Sequence, residues 1–373
     1  MTSPEVHLRV VDPAKHLRFV EERSGSFLQT PAWGRLKTEW RSESLGWFSG
    51  EIMIGAGLVL YRSLPRIGRS LAYLPEGPVT DWSAPTVLDV LRTLRDHVTE
   101  RGAFGLRLGP TVPVRRWHAE TVKSAIADDE VRSLRNVAPD LVHEDGVRLR
   151  AELHRLGFRH LASDAGFAAG QPEFVFQLPL AGRTEADLLG GMNQLWRRNI
   201  KKSAKFGVHV KQGSAADLPA FHEAYVETAR RDQFTPRPLS YFSRMLDVMT
   251  AEDPDRIRLY LACHDSDLVA ATLFVRVGAH AWYSYGASTA AKREVQGSTA
   301  VQWQMMRDAL AVGASVYDLR GITDTVAADD PHAGLIRFKL GTGGEAVEYV
   351  GEWDLPLNRV LYKAFDVYLR RRG

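Results

Sequence analysis

The sequence predicts a mixed α/β (α+β) chain made of two tandem units, and three observations carry that expectation. Short runs rich in Val, Ile, Leu and aromatic residues alternate with longer stretches of helical spacing. The order strand, two or three helices, a run of strands, helix, strand occurs twice. The length of 373 residues, with 45% hydrophobic content, is enough for two full cores.

In the first half, Glu51–Tyr61 and Arg69–Pro75 read as strands punctuated by Gly and Pro. Val87–Arg101 has helical spacing at Leu88, Leu91, Leu94 and Val98, and Ala103–Leu108 is the next strand. From there to about Phe158 the chain reads as helical and charged. The second series opens with a strand at Glu173–Leu178, followed by helices over the Asn193–Gly207 region, Asp217–Ala229 and Ser240–Met249. Arg258–Ala262, Leu268–Val277 and Ala281–Gly286 then read as successive antiparallel strands. Helix Ala300–Ala311, strand Val316–Arg320 and a short segment opening at Leu335–Leu340 complete the series. This order resembles that of acetyltransferase-like (GNAT-type) domains, in which a splayed parallel strand pair creates the transfer site.

Charge is concentrated in one place. From Gln194 to Lys211 there are six Lys or Arg and no Asp or Glu, in a chain whose formal net charge is +3. On a helix, Arg197, Lys201 and Lys205 recur every four residues with Arg198 and Lys202 beside them, which makes one broad cationic face. Leu188, Met192, Leu195 and Ile200 have the spacing of the opposite, apolar face. Gly207 suits the residue just past the helix, and Val208–Val210 the strand after it. Such a helix is suited to meet an anion, polyphosphate or RNA, the alternative being a solvated helix face.

Other classes are disfavoured. There is no H-E-x-x-H and no cysteine pair, and the 12 histidines are scattered, so no metal or other cofactor is expected. Gly341-Thr-Gly-Gly344 lacks the spacing and the Lys of a phosphate-binding loop. The single cysteine, Cys263, sits in an apolar strand-like run and reads as an inert core thiol. No signal region or membrane-spanning apolar run is visible, so a cytoplasmic protein is expected.

Seven segments in order resemble the Fem family of non-ribosomal peptidyltransferases. They are Phe27–Lys37, Tyr73-Leu-Pro-Glu-Gly-Pro78, Trp196–Lys202, Pro236–Phe242, Trp282–Ser288, Tyr317–Ile322 and Ile336–Gly341. The resemblance implies two acetyltransferase-like domains, 1–165 completed by a returning C-terminal segment 350–373, and 166–349. Leu357, Leu361, Phe365 and Leu369 make the apolar stripe that such a returning helix needs. The few residues between Met245 and Arg258 leave no room for the coiled-coil helical arm of some members, so the FemX-like type is implied.

Its implied activity is transfer of an amino acid, glycine favoured and alanine next, from aminoacyl-tRNA. The acceptor is the side-chain amine of the third stem-peptide residue of a peptidoglycan precursor, lipid II or UDP-MurNAc-pentapeptide. An excess of Arg over Lys, 38 to 10, favours a GC-rich source and with it diaminopimelate as that residue. The residues matching the family's precursor site are Lys37, Arg237, Tyr241 and Tyr285. Arg and Lys suit a diphosphate and carboxylates, and Tyr hydroxyls donate to phosphate. Strand alternation puts Tyr283 on the same face as Tyr285, and Tyr285 is the one that matches. Phe338 and Lys339 match a pair near the reacting groups, where a fixed ammonium would stabilise the tetrahedral oxyanion of ester aminolysis or hold the 3′ end of the tRNA. The carboxylate candidates for proton acceptor are Asp318 and Asp324, with structural caps or substrate-assisted transfer as alternatives. Arg198, Lys201, Lys202 and Lys205 are the candidates for tRNA phosphates.

A lipid-linked acceptor would bring the protein to the inner membrane face, with Arg370-Arg-Arg372 as a weak anchor. A monomer is expected. Rival readings are tRNA-dependent transfer to a peptide natural product or resistance-type precursor, an acyl-CoA-dependent N-acetyltransferase, and a non-catalytic RNA-binding protein. The acyl-CoA turn is missing, because Gln296-Gly-Ser-Thr-Ala300 has its Gly directly after Gln and no second Gly.

Overall fold

The structure is a computed structural model that describes residues 5–64, 68–161, 170–330 and 332–370, with 368–370 described by their backbone only. It divides into two compact units: residues up to Arg115 with Leu141–Glu173 and the chain from Glu348, and Arg116–Asp140 with Phe174–Val347.

In the first unit the sheet runs, in spatial order, Val6–Val10, Arg41–Ser49, Ile52–Ser63, Ser70–Leu74, Ala103–Leu108, Trp353–Pro356 and Arg159–His160, with Val79–Thr80 paired to Ile52–Ser63. One pair is parallel, Ser70–Leu74 with Ala103–Leu108, and after a register shift between Ser70 and Leu71 its pairing continues to the end of both strands, where Leu74 faces Leu108. Helix Val87–Glu100 turns Val87, Val90, Leu91, Leu94 and Val98 into the core against Val59, Tyr61 and Leu106. The apolar positions recur at helical spacing, which is why the sequence predicts this element well.

The second sheet runs His209–Gly213, Ile257–His264, Asp267–Val277, His280–Ser288, Val316–Ile322, Phe174–Pro179, Glu345–Tyr349, Pro113–His118 and Leu141–Val142. Here too one pair is parallel, but it holds for only three residues: His280 with Val316, Ala281 with Tyr317 and Trp282 with Asp318. The first strand then continues to Ser288 and the second to Ile322 without pairing to each other. Helix Gly297–Ala311 closes the core from one side with Val301, Met305, Met306 and Ala309.

Strands Pro113–His118, Leu141–Val142 and Trp353–Pro356 lie where the sequence reads as helix, and strand Glu345–Tyr349 where it gives no strand signal. Arg115 and Arg116 look like a solvated helix face, but each is half-buried and pairs with an acid on a distant segment, Glu348 and Glu345. Trp117 is fully buried and stacks with Phe174, so residues 116–140 belong to the second unit and not the first. At the C-terminus, Trp353–Pro356 is a strand beside Ala103–Leu108, so the helix starts only at Arg359. Leu361 and Phe365 of the expected stripe face Leu71 and Phe104, whereas Leu357 lies in the connection and the Leu369 side chain falls outside the described residues. Cys263 is half-buried rather than core, and burial pushes its thiol up.

After helices Leu218–Arg231 and Leu239–Glu252 the chain enters strand Ile257–His264 directly, with no coiled-coil arm among the described residues. No helix of the described residues is long and apolar enough to cross a membrane.

Candidate active site

The two strands that separate after Trp282 and Asp318 carry the site of the second unit. Asp318 sits at the branch point, 1% exposed, opposite Trp282 on one side and Gln177 on the other. Its Oδ2 accepts from Gln177 Nε2 at 2.9 Å and its Oδ1 from the Arg320 backbone N–H at 2.6 Å. His280, stacked on Trp282 with centroids 4.0 Å apart, brings Nε2 to 3.5 Å from Oδ2. Burial raises the Asp318 pKa, but His280, Arg320 and Gln177 together outweigh it and hold the carboxyl below the ordinary aspartate value. A carboxylate engaged at both oxygens and reluctant to take a proton is an anchor for the strand, which argues against Asp318 as proton acceptor. Asp324 ties down a neighbouring segment, accepting from Ser133 Oγ at 2.9 Å and Arg135 Nε at 3.0 Å, the structural alternative to a proton acceptor.

Lys339 lies in the short helix Ala333–Leu340 and is 3% exposed. Its Nζ donates to the carbonyls of Gly321 at 2.6 Å and Arg320 at 3.2 Å, both beyond the last parallel pair. Arg320 has φ of +64°, an uncommon conformation for a side chain of its size. Burial pulls the Lys339 pKa down to about 7, with Asp318 opposing and Arg320 adding to the fall. Phe338 is half-buried; its ring lies 4.9 Å from that of Trp196, and its carbonyl accepts from Trp196 Nε1 at 2.9 Å.

Trp196 belongs to the cationic helix, which spans Gln194–Lys205. Asn193 caps it through Oδ1 to the Trp196 N–H at 2.9 Å, and Gly207 follows at φ +75°. A separate helix, Glu185–Gly191, carries Leu188, so the phase expected from Leu188 and Met192 does not continue into the cationic segment. Trp196 and Ile200 turn inward, whereas Leu195 is half exposed, contrary to the expected apolar face. Arg197 is engaged by the preceding helix, donating to the carbonyls of Met192 at 2.5 Å and Gly190 at 3.2 Å. Arg198, Lys201 and Lys205 are exposed, and the Lys202 Nζ lies 5.6 Å from the Phe206 ring centroid. None of these four has an acidic partner among the described residues. Gly341, just past Lys339, must be glycine, because a Cβ there would come within 2.1 Å of the Trp196 ring. The cationic helix and the lysine helix are thus locked together through one indole.

On the other strand, Tyr285 has φ of +51° at a bulge where the register with Asp267–Val277 shifts. The bulge breaks the alternation expected from sequence. Tyr283 packs on the main core of the unit, with its hydroxyl where a Cβ on Gly286 would sit. Tyr285 instead turns to the Tyr241 hydroxyl at 2.9 Å, among the rings of Phe242 and Tyr225. The Arg237 guanidinium is 5.4 Å from the Tyr241 ring centroid. Burial raises the pKa of both Tyr241 and Tyr285, the charges of Arg237 and Arg320 opposing it at Tyr285, so both phenols stay protonated and able to donate.

Arg320 is the residue that sequence reasoning passes over. Its charge acts on Tyr285, Asp318 and Lys339, which makes it the electrostatic link between the two clusters. The signal was its place in Tyr317-Asp-Leu-Arg-Gly-Ile322. Lys37 belongs to the first unit, following helix Pro31–Leu36, where its Nζ lies 4.5 Å over the Trp33 ring.

Comparison with known proteins is consistent across the chain. A lipid II:glycine glycyltransferase of Staphylococcus haemolyticus is 22% identical over 425 residues, covering 94% of this chain and 93% of its own. That of Staphylococcus epidermidis is 23% identical over 417 residues, covering 93% and 92%. The crystal structure of FemX superposes with a TM-score of 0.80 at 20% identity, covering 96% and 99% of the two chains. A tandem GNAT protein from clavulanic acid biosynthesis superposes at 0.52 with 11% identity, covering 95% and 99%, which shows the fold. The FemAB family model matches residues 11–268 and 262–369, and the chain belongs to the FemAB family.

Proposed function

We propose that the protein transfers glycine from glycyl-tRNA to the side-chain amine of the third stem-peptide residue of lipid II or its nucleotide-linked precursor, diaminopimelate being the favoured acceptor residue. The reaction makes the first residue of an interpeptide bridge. The observation that carries this reading is Lys339, a lysine buried where the two strands no longer pair with each other and joined through Trp196 and Phe338 to a cationic helix whose Arg198, Lys201, Lys202 and Lys205 have no acidic partner among the described residues. The lipid II:glycine glycyltransferases that resemble it over nearly their whole length support the substrate class.

In the proposed step the acceptor nitrogen attacks the carbonyl carbon of the aminoacyl ester. A C–N bond forms, and the carbonyl oxygen becomes an oxyanion that the Lys339 ammonium stabilises. The ester C–O bond then breaks, and the ribose oxygen leaves with a proton. With Asp318 and Asp324 both engaged structurally, the proton lost by the attacking amine goes to the departing ribose oxygen, so the substrates assist themselves. Arg237, Tyr241 and Tyr285 take the precursor's diphosphate and carboxylates, Lys37 is the first unit's own candidate for that ligand, and Arg198, Lys201, Lys202 and Lys205 take tRNA phosphates. A monomeric protein in the cytoplasm that docks at the inner membrane face fits a lipid-linked acceptor. The Arg370–Arg372 anchor lies outside the described residues, apart from the Arg370 backbone.

An acyl-CoA donor is disfavoured because Gln296-Gly-Ser-Thr-Ala300 has no second Gly, and Gly297, at the start of the Gly297–Ala311 helix, is needed for packing. A Cβ there would lie 2.6 Å from Val269.

The test is transfer of labelled glycine and alanine from their charged tRNAs to lipid II and to UDP-MurNAc-pentapeptides carrying lysine or diaminopimelate, with acetyl-CoA as a parallel donor. Label from glycyl-tRNA on a diaminopimelate precursor is expected. Acetyl transfer without tRNA-dependent transfer would overturn the reading.

A further inference from the structure

The C-terminal helix Arg359–Arg370 is apolar on two sides. Inward, Leu361, Tyr362 and Phe365 pack on Leu71 and Phe104, with the Phe104 and Phe365 rings 5.3 Å apart. Outward, Val360 is 79% exposed and Val367 42%, with Ala364 exposed between them. Positions i, i+4 and i+7 form one stripe along a helix. A helix docked by one face normally carries polar residues on the other, whereas this one presents Val, Ala and Val to solvent. Arg359 and Lys363 are exposed beside them, and residues 359–373 carry five Lys or Arg against one acid, Asp366.

We propose that this outer face docks on an anionic lipid surface, the valines entering the boundary of headgroups and acyl chains while Arg359 and Lys363 meet the headgroup charge. This deepens the functional reading above and rests on it for the reason the enzyme visits a membrane. Two other occupants account for less. A second copy would need about 800 Å² per partner, more than three small side chains offer, and would set like charges against each other. RNA phosphates would use the cations but leave the valines in water, since base recognition calls for aromatic faces. A shallow apolar stripe with flanking cations holds weakly and reversibly, as suits an enzyme that must also meet a soluble donor.

The experiment is co-sedimentation of the full-length protein with vesicles of equal parts phosphatidylglycerol and phosphatidylcholine, and of phosphatidylcholine alone. Binding to the anionic vesicles, weakened by salt, is expected. Arg359→Gln with Lys363→Gln should lower it roughly 25-fold, about fivefold per cation. Val360→Ser with Val367→Ser should lower it about tenfold. In both double variants transfer to UDP-MurNAc-pentapeptide stays at the wild-type rate, while transfer to vesicle-borne lipid II falls. Wild-type protein left in the supernatant, or variants that sediment like wild type, would overturn the proposal. Variants that lose tRNA affinity but keep vesicle binding would also overturn it, assigning the face to RNA. Vesicle binding that depends on these four residues, with no transfer to either precursor, would sustain the docking surface and remove the proposed reaction.

Discussion

In the proposed reaction Lys339 and Arg237 have different roles. Lys339 is buried on backbone carbonyls and meets charge only as it develops, so Lys339→Ala should lower the transfer rate by about 100-fold or more with little change in precursor affinity. Arg237→Ala should instead weaken precursor binding by about tenfold or more, read by titration calorimetry with UDP-MurNAc-pentapeptide. Burial also leaves a thermodynamic mark. The folded pKa of Lys339, about 7, lies below its ordinary value of 10.5, so between those pH values the unfolded chain binds more protons and stability rises with pH. The unfolding free energy of wild type relative to Lys339→Met should therefore climb from pH 7 to 9, with a slope of up to about 1.4 kcal/mol per pH unit. A flat difference in denaturant titrations would mean that the lysine is not desolvated as described. Tyr285 was legible as a candidate from its motif, but its separation from Tyr283 was not. That depends on a bulge with φ +51° at a tyrosine, a conformation that local propensity opposes and the surrounding sheet imposes.

Among the elements, the cationic helix was the most legible, because charge clustering and the Asn193 and Gly207 caps are local signals. Its orientation was not, since one indole decides it. Trp196 buries itself against Phe338 and Gly341, and Leu195 is left in water although it is the apolar neighbour. Gly341→Ala puts a methyl against that ring and should cost about 1–3 kcal/mol by overpacking, with a larger loss of transfer than of precursor binding. Thermal unfolding and kinetics on the same preparation would check both. Lys201, Lys202 and Lys205 replaced together by Ala should weaken tRNA binding and lower the log–log salt slope by about 0.7–0.9 for every phosphate that is no longer neutralised. An unchanged slope would move the donor site off this helix. The strand Pro113–His118 was illegible for a related reason, as its arginines look solvated until Glu345 and Glu348 arrive from more than two hundred residues away.

For the whole molecule, the contrast between the two parallel strand pairs is the informative feature. The pair in the first unit stays zipped to Leu74 and Leu108, which leaves no opening between the strands, whereas that in the second releases after Trp282 and Asp318 and gathers Tyr285, Arg320 and Lys339. The proposed transfer therefore belongs to the second unit, where the strands part. A linkage measurement should reflect this: UDP-MurNAc-pentapeptide at about 100 times its Kd should raise the melting temperature by several degrees, worth about 2.7 kcal/mol, while acetyl-CoA leaves it unchanged. A stabilising effect of acetyl-CoA would reopen the acyl-CoA reading. By itself the sequence determined the class of fold, most helices and strands, the cationic segment and the motif residues. All of these rest on local periodicity, caps and short-range matches. Only the tertiary structure decided where the parallel strands part, which tyrosine meets Tyr241, that Arg320 lies between the two clusters, and that Asp318 accepts from Gln177 and the Arg320 N–H. Each of those outcomes is set by desolvation and pairing between segments far apart in the chain, and neither exists until the chain has folded.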